Sequence, residues 1–197
     1  MRGFGPLRCS IERLCSTRIN SWLGLVSDVG VSVLLLWAAF RLVEIRAVSA
    51  CSIVALGIFA FSFVEYCLHR WLFHGRTAIF ERGHRRHHER PEGDDSLPFF
   101  LAPLAILSLD ELLRLATTEE FALLFTGGFA GGYAAYGLTH TLIHRVRFPD
   151  GLARRWARSH HVHHYHPDSN FGVTTPLWDF VLGTRYDRSN PRTFSRS

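Results

Sequence analysis

The 197-residue sequence contains no lysine and no glutamine, so all 22 of its basic residues are arginine. Codon bias in a GC-rich genome is a sufficient explanation for the missing lysine. Charged residues make up only 20% of the chain and hydrophobic residues 47%, which excludes a disordered protein and a collagen-like repeat. Four cysteines, Cys9, Cys15, Cys51 and Cys67, form no CxxC pair, so neither a redox motif nor a zinc finger is expected.

Long stretches without charge organise the rest of the sequence. Residues 47–64 and 121–138 each run for eighteen residues without a charged side chain, and residues 22–40 contain one charge, Asp28. Each stretch is about as long as a helix needs to cross roughly 30 Å of hydrocarbon. Asp28 is the best support for the alternative, a soluble helical core, but three runs of this length favour a membrane protein.

A fourth apolar run, residues 97–109, is shorter and contains Pro98 and Pro103. Three further leucines extend it to residue 115, which favours a kinked span over a re-entrant segment. The sequence therefore predicts an all-α integral membrane fold with about four transmembrane helices. The predicted spans are residues 22–43, 47–66, 97–115 and 121–140.

The distribution of arginine predicts the orientation of these spans. The first twenty residues hold four arginines, residues 65–96 hold six and the chain after His144 holds nine. The link at residues 110–120 instead holds four acidic residues and one arginine. We therefore expect a cytoplasmic leader at residues 1–21 and a single membrane domain at residues 22–197. No nucleic-acid partner is expected, because the arginines alternate with apolar runs.

All twelve histidines lie between His69 and His166, and ten of them form a pair, a triplet, a pair and a triplet. These clusters are His69 and His74; His84, His87 and His88; His140 and His144; and His160, His163 and His164. Within each triplet the i, i+3, i+4 spacing places all members on one face of a helix. His69 and His74 are about 140° apart around an α-helix. To serve one site they would need a local distortion of the helix, or two differently placed metals.

Metal binding is the chemistry that this arrangement favours. Neutral imidazole is the commonest side-chain ligand for zinc, iron and copper, and ten imidazoles exceed the needs of one ion and suit two. Both pairs lie where a predicted span meets the cytoplasm, which predicts a histidine-rich helical cap, residues 65–96 and 140–185, on the cytoplasmic side of the membrane. A solvated histidine tract is one alternative. A metal transporter is another, although it would require more polar residues within the spans.

Four motifs together resemble those of the fatty acid hydroxylase/sterol desaturase superfamily of integral membrane enzymes. They are HRWLFH at residues 69–74, HRRHHE at 84–89, LTHTLIH at 138–144 and HHVHHYHPDSNFGVTTPLWD at 160–179. The first motif and the ending FGVTTPLWD are most similar to the fatty acid 2-hydroxylase branch. THTLIHRVRFP is also similar to a segment of carotenoid hydroxylases, which stay an alternative.

The resemblance implies a dinuclear metal site, normally non-haem di-iron, that uses O2 to hydroxylate a fatty-acyl or related lipid chain. It assigns the ten clustered histidines as metal ligands, and zinc is an alternative metal in purified protein. Desaturation of a sterol or acyl chain begins with the same hydrogen abstraction, so it stays open, as does a non-catalytic metal-binding protein. We expect a separate cytochrome b5-like or ferredoxin-like electron donor, because the chain has no room for a fused cytochrome b5 domain.

Several polar residues near the motifs are candidates for hydrogen bonding to the ligands. The candidates are Glu65, Glu89, His161, His166, Asp168 and Asp179. For Glu89 and Asp168 the alternative is a solvated loop charge paired with arginine, and for His161 and His166 it is a structural role. Glu65 is favoured because it precedes His69 by about one helical turn. The segment from Asn170 to Trp178 is predicted to fold the end of the cap back onto the site. Arginines at positions 145, 147, 154, 155 and 158 are expected to meet anionic headgroups or an acidic electron donor, with ordinary positive-inside bias as the alternative.

Overall fold

The computed structural model describes residues 11, 13–42, 46–75 and 80–189, which contain helices and no β-strand. In chain order the helices are α1 (Arg18–Leu42), α2 (Ala47–Cys67), α3 (Phe80–Glu89), α4 (Leu101–Ala116), α5 (Glu119–Arg145), α6 (Leu152–Tyr165) and α7 (Leu177–Val181). A π-helical segment, Leu68–Phe73, continues α2 directly. The predicted all-helical fold is confirmed for these residues, while residues 1–10 and 12 of the predicted leader lie outside them.

Three of the helices are long and apolar enough to cross a membrane. They are α1 with 25 residues, α2 together with its π-helical continuation with 27, and α5 with 27. Each contains one of the long apolar runs of the sequence. Helix α5 extends farther than the predicted span, beginning at Glu119 and ending at Arg145, so His140 and His144 both lie within its last turns.

Helix α4 corresponds to the fourth apolar run. It has 16 residues, fewer than the roughly 20 that cross a bilayer unaided, so a fourth crossing stays a prediction. Pro98 precedes the helix and Pro103 lies in its first turn. The backbone nitrogens of a first turn have no partner within the helix, so neither proline interrupts the hydrogen bonds of α4.

The chain divides into two compact units. The first comprises Met1–Phe61 and Gly93–Gly137, and the second comprises Ser62–Glu92 and Leu138–Ser197. The buried core of the first unit is formed by small and aliphatic side chains from three helices. They are Leu35 and Ala39 of α1, Ile106 of α4, and Leu123, Leu124 and Ala130 of α5.

Glycines allow α2 and α5 to approach closely within the first unit. A Cβ atom at Gly57 would overlap the carbonyl oxygen of Phe125, and one at Gly128 would overlap the carbonyl oxygen of Val54. Small residues at the contact of two membrane helices let their backbones pack directly against each other. Gly57 of α2 and Gly128 of α5 are therefore explained by the close packing of these two helices.

Asn20 fixes the loop that leads into α4. Its buried amide nitrogen donates to Ser96 Oγ and to the carbonyl oxygen of Leu97, both at 2.8 Å. Its amide oxygen accepts a hydrogen bond of 3.1 Å from the backbone nitrogen of Phe99. One side chain thus satisfies three polar groups of a loop that would otherwise lie against apolar surface.

Replacement of Gly128 by alanine is expected to destabilise the protein, because the added methyl group must push two helix backbones apart. The cost of such overpacking is about 1–3 kcal/mol of unfolding free energy. Gly30 in α1 is the matched control, since a Cβ atom there meets nothing within 4 Å. Thermal unfolding in detergent should show a lower Tm for Gly128→Ala and no loss for Gly30→Ala. Equal Tm values for both variants would contradict the close packing.

Candidate metal centre

The second unit brings all ten clustered histidines together in two groups of five. Site A consists of His69, His74, His84, His88 and His163, and site B consists of His87, His140, His144, His160 and His164. In each site, one nitrogen from every ring lies within 4.8 Å of the others. That these residues hold metal stays a prediction, but the structure gathers the whole predicted ligand set.

Each histidine triplet is divided between the two sites. On α3, His84 and His88 belong to site A and His87 to site B, whereas on α6 His160 and His164 belong to site B and His163 to site A. Residues i and i+4 lie only about 40° apart around a helix, while i+3 lies about 60° to the other side. The i and i+4 members therefore share a site, and the i+3 member reaches the other one.

A π-helical turn solves the spacing problem of His69 and His74. The backbone nitrogen of His74 donates to the carbonyl oxygen of His69 at 3.2 Å, which is the i→i+5 hydrogen bond of a π-helix. The wider turn brings positions i and i+5 together, and the two ring centroids are 5.2 Å apart. Of the two alternatives that the sequence allows, a local distortion is therefore the one found.

The distances between ring nitrogens fit ligands that share an ion. In site A, His84 Nε2 lies 3.0 Å from His69 Nε2, 2.9 Å from His74 Nε2 and 3.0 Å from His88 Nε2. One ring nitrogen carries at most one proton, so hydrogen bonds do not explain three such contacts. Neighbouring ligands at right angles around an ion, with metal–nitrogen bonds of about 2.1 Å, stand about 3 Å apart.

Site B shows the same spacing. The Nε2 atom of His160 lies 3.0 Å from that of His144 and 3.1 Å from that of His164. His87 Nε2 is buried and has no hydrogen-bond partner among the described residues. A buried polar atom without a partner is costly, and a cation between these rings would remove that cost.

Burial also keeps the histidines in the form that binds metal. It lowers the pKa of His74 to about 3 and those of His87 and His164 to about 2, and neighbouring histidines lower each of them further. The pKa values of His160 and His163 are likewise well below the ordinary histidine value, mainly because of burial. A neutral imidazole offers a lone pair to a cation, so the residues present fit a metal centre.

Two histidines of site A are oriented by backbone carbonyl groups. His69 Nδ1 donates to the carbonyl oxygen of Phe171 at 2.5 Å, and His163 Nδ1 donates to that of Ser169 at 2.7 Å. A carbonyl oxygen only accepts, so Nδ1 carries the proton in both rings and Nε2 faces the site. Such outer hydrogen bonds fix the orientation of metal-ligating imidazoles.

Glu65 and Asp179 are buried, but they bind the backbone beside the histidines rather than the imidazoles. Glu65 Oε1 accepts from the backbone nitrogens of Val173 at 2.6 Å and Thr174 at 3.0 Å. Its second oxygen accepts from the hydroxyl group of Thr174. Asp179 accepts from the backbone nitrogens of residues 171 and 172, both at 2.8 Å. We expected these carboxylates to accept hydrogen bonds from the histidine rings. They instead accept them from backbone groups next to the histidines.

The other candidates lie outside both sites. His161 is exposed, with its Nε2 3.2 Å from the carbonyl oxygen of Ile143, and the exposed His166 stacks on Tyr186. Asp168 and Glu89 are exposed and belong to neither group of five. Any role of these four residues at the metal centre stays a prediction.

Sequence reasoning missed a chain of hydrogen bonds that ends at Asp179. Arg70 donates to the hydroxyl group of the fully buried Tyr66 at 2.8 Å, and that hydroxyl group lies 3.0 Å from Thr184 Oγ1. Thr184 in turn donates to Asp179 Oδ1 at 2.7 Å. Tyr66 directly follows Glu65 and Arg70 directly follows His69 in the sequence. This proximity to the first motif is the only signal in the sequence that pointed to them.

In the described residues, helices long enough to cross a membrane and two groups of five histidines define a helical membrane protein with two candidate metal sites. The family model for fatty acid hydroxylase matches residues 54–184, which is more than half of the chain. The chain therefore belongs to the fatty acid hydroxylase family.

Individual relatives agree with this assignment. Dihydroceramide fatty acyl 2-hydroxylase FAH2 of Arabidopsis thaliana is 34% identical over 141 residues, which cover 67% of this chain and 60% of that protein. Fatty acid 2-hydroxylase of Homo sapiens is 32% identical over 142 residues, covering 66% of this chain and 38% of that protein. The solved structure of full-length Scs7p, with only its hydroxylase domain visible, has a TM-score of 0.77 and 27% identity, and covers 92% of this chain and 71% of that one. The chain thus spans less than two thirds of these curated relatives.

Single histidine replacements are expected to separate the two sites. His163→Ala removes a ligand from site A and His87→Ala removes one from site B, so each variant should lose about one of two ions to a chelator that leaves the wild type loaded. His161→Ala is the control, because this neighbouring histidine belongs to neither site. Metal analysis of the purified proteins makes the comparison. Full retention of both ions by His163→Ala and His87→Ala would contradict the assignment.

Proposed function

We propose that this chain is an O2-dependent, di-metal lipid hydroxylase that acts on a fatty-acyl chain, with carbon 2 as the position hydroxylated. The observation that carries the proposal is the pair of five-histidine sites, each with two buried and three partly buried members. The proposal that the substrate is a lipid is supported by the family match and by relatives named as fatty acid or fatty acyl 2-hydroxylases. Dihydroceramide, which the plant relative's name specifies, is the substrate class we favour.

Sites A and B would each hold one metal ion, and iron is the proposed native metal. When bound, the iron pair supplies the reductive activation of O2, in which two electrons and two protons convert R–H and O2 into R–OH and water. The protein residues keep ten uncharged nitrogens converged on two points and shield them from solvent. Zinc fits the same ligand set, but it has no redox chemistry, so we expect a zinc-loaded form to be inactive.

We further propose that the metal centre lies at the cytoplasmic face of the membrane. His69 and His74 lie at the end of one candidate membrane helix, and His140 and His144 lie at the end of another. The arginine-rich composition of residues 65–96 and of the chain after His144 supports the cytoplasmic side. In this position an acyl chain can enter from the bilayer while its polar headgroup stays at the interface.

An acidic one-electron carrier is the proposed electron donor, because the reaction consumes two electrons that the histidines do not supply. Helix α6 carries three histidines of the metal sites and also the exposed arginines Arg154, Arg155 and Arg158. A donor that binds these arginines would be separated from the metal centre by about the 10 Å width of one helix. Complementary charge mainly accelerates and orients such an encounter.

Expression of the protein should add 2-hydroxylated acyl chains to the lipids of the host. Under 18O2, mass spectrometry should find one 18O atom in each new hydroxyl group, because that oxygen derives from O2. His87→Ala and His163→Ala should abolish the product, and His161→Ala should retain it. A new double bond without added oxygen would instead identify a desaturase, and metal uptake without any lipid change would favour a transporter.

Charge reversal at Arg158 is expected to weaken the electron donor's binding without removing metal. Arg158→Glu should raise the KM for an acidic cytochrome b5 at least about threefold at low ionic strength, and added salt should reduce the difference. Arg188→Glu makes the same charge change at another exposed position. Equal KM values for the two variants would exclude α6 as the donor's binding surface.

A further inference from the structure

The two metal sites differ in how their histidines are held from outside. We propose that Glu65 and Asp179 are positioning residues for site A alone, acting through the segment at residues 169–174. This inference rests on the proposed function, because it requires that sites A and B bind metal ions. It makes site A the more rigid and more tightly binding of the two.

The first step is that both carbonyl groups that orient site A belong to one short segment. Phe171 supplies the acceptor for His69, and Ser169 supplies the acceptor for His163. His69 follows α2 and His163 lies on α6, so this segment connects ligands from two distant parts of the chain. A shift of the segment would turn both rings at once.

The second step is that two buried carboxylates bind four consecutive backbone nitrogens of this segment. Asp179 accepts from residues 171 and 172, and Glu65 accepts from residues 173 and 174. The four N–H groups thereby have carboxyl oxygens as acceptors and are not left buried without a partner. The segment is therefore clamped beside the carbonyl groups that hold His69 and His163.

The backbone of the segment is specialised for this position. Asn170 has a φ of 54°, in the left-handed region that asparagine tolerates better than most residues. Its amide nitrogen donates to the carbonyl oxygen of Ser159 at 3.2 Å, and its amide oxygen accepts from the backbone nitrogen of Tyr186 at 2.8 Å. At Gly172, a Cβ atom would overlap the carbonyl oxygen of Thr175. These contacts restrict the segment to one path.

Among the described residues, two histidines of site B, His160 and His164, lack the outer hydrogen bonds that orient His69 and His163 in site A. The Nδ1 atoms of His160 and His164 are buried and make no hydrogen bond within the described part of the chain. Loss of an outer hydrogen-bond partner typically costs a metal site about 10–100-fold in affinity. We therefore expect the clamp to act on site A and to leave site B unchanged.

Two substitutions at Glu65 compare a side chain that keeps the hydrogen bonds to residues 173 and 174 with one that loses them. In Glu65→Gln, the amide oxygen still accepts from residues 173 and 174, and the amide nitrogen donates to the hydroxyl group of Thr174. Glu65→Ala loses all three hydrogen bonds. In Asp179→Asn, the new amide nitrogen must face an N–H group of residue 171 or 172. The clamp should thus survive Glu65→Gln and fail in the other two variants.

The test uses the full chain in detergent, loaded with Co2+. A chelator is titrated into the sample, and the loss of bound Co2+ is measured by its absorption. The site A signal is the one lost in His163→Ala, and the site B signal is the one lost in His87→Ala. Glu65→Ala and Asp179→Asn should weaken Co2+ binding about 10–100-fold at site A only, while Glu65→Gln should match the wild type. Asp110→Asn is the control for general destabilisation, because it alters a buried carboxylate bonded to Thr126 and Arg114 in the first unit.

The outcomes distinguish this inference from the proposed function. A wild type that binds no Co2+ at either site would overturn the metal centre itself. A wild type that binds two ions, together with clamp variants that lose both equally or neither, would overturn the clamp alone. The same holds if Glu65→Gln loses site A as fully as Glu65→Ala. If Glu65→Ala does not fold, Asp179→Asn decides the question.

Discussion

The convergence of ten uncharged imidazoles is the constraint on which the second unit depends. Each ring is a polar group removed from water, and ring nitrogens about 3 Å apart present lone pairs to one another without enough protons to pair them. A cation at each convergence point would satisfy all of these lone pairs together. The π-helical turn, the divided triplets and the clamped segment all serve to bring the rings to these points.

Helical geometry explains why both sites depend on the same two helices, α3 and α6. Because i and i+4 residues share a direction and i+3 residues diverge, each triplet supplies ligands to both sites from one rigid helix. Helices α3 and α6 do this in opposite senses, so each site receives two ligands from one triplet and one from the other. Displacement of either helix would therefore disturb both sites.

The sequence predicted the features that depend on local periodicity and side-chain chemistry. The three long helices follow from uncharged runs, and the ten converging histidines follow from their spacing and ligand chemistry. The sequence also indicated a distorted turn at His69 and His74, because i, i+5 spacing does not suit an α-helix. It did not predict which histidines belong to site A and which to site B, since that depends on how α3 and α6 approach each other. The acceptors for His69 and His163 were likewise hidden, because every residue has a carbonyl group and only the tertiary path selects those of Phe171 and Ser169.

The outer hydrogen bonds of His69 and His163 in site A have no counterpart at His160 and His164 of site B among the described residues. A rigid helix fixes the Cα position of a histidine but leaves rotation about its side-chain bonds free. For His69 and His163 a carbonyl group removes much of that freedom, whereas the side chains of His160 and His164 keep it. Preorganisation lowers the entropic cost of binding, so the clamped site starts closer to its bound geometry. On the proposal that both sites bind metal, the two buried carboxylates would influence binding at site A without contacting a histidine ligand, through the backbone of residues 171–174.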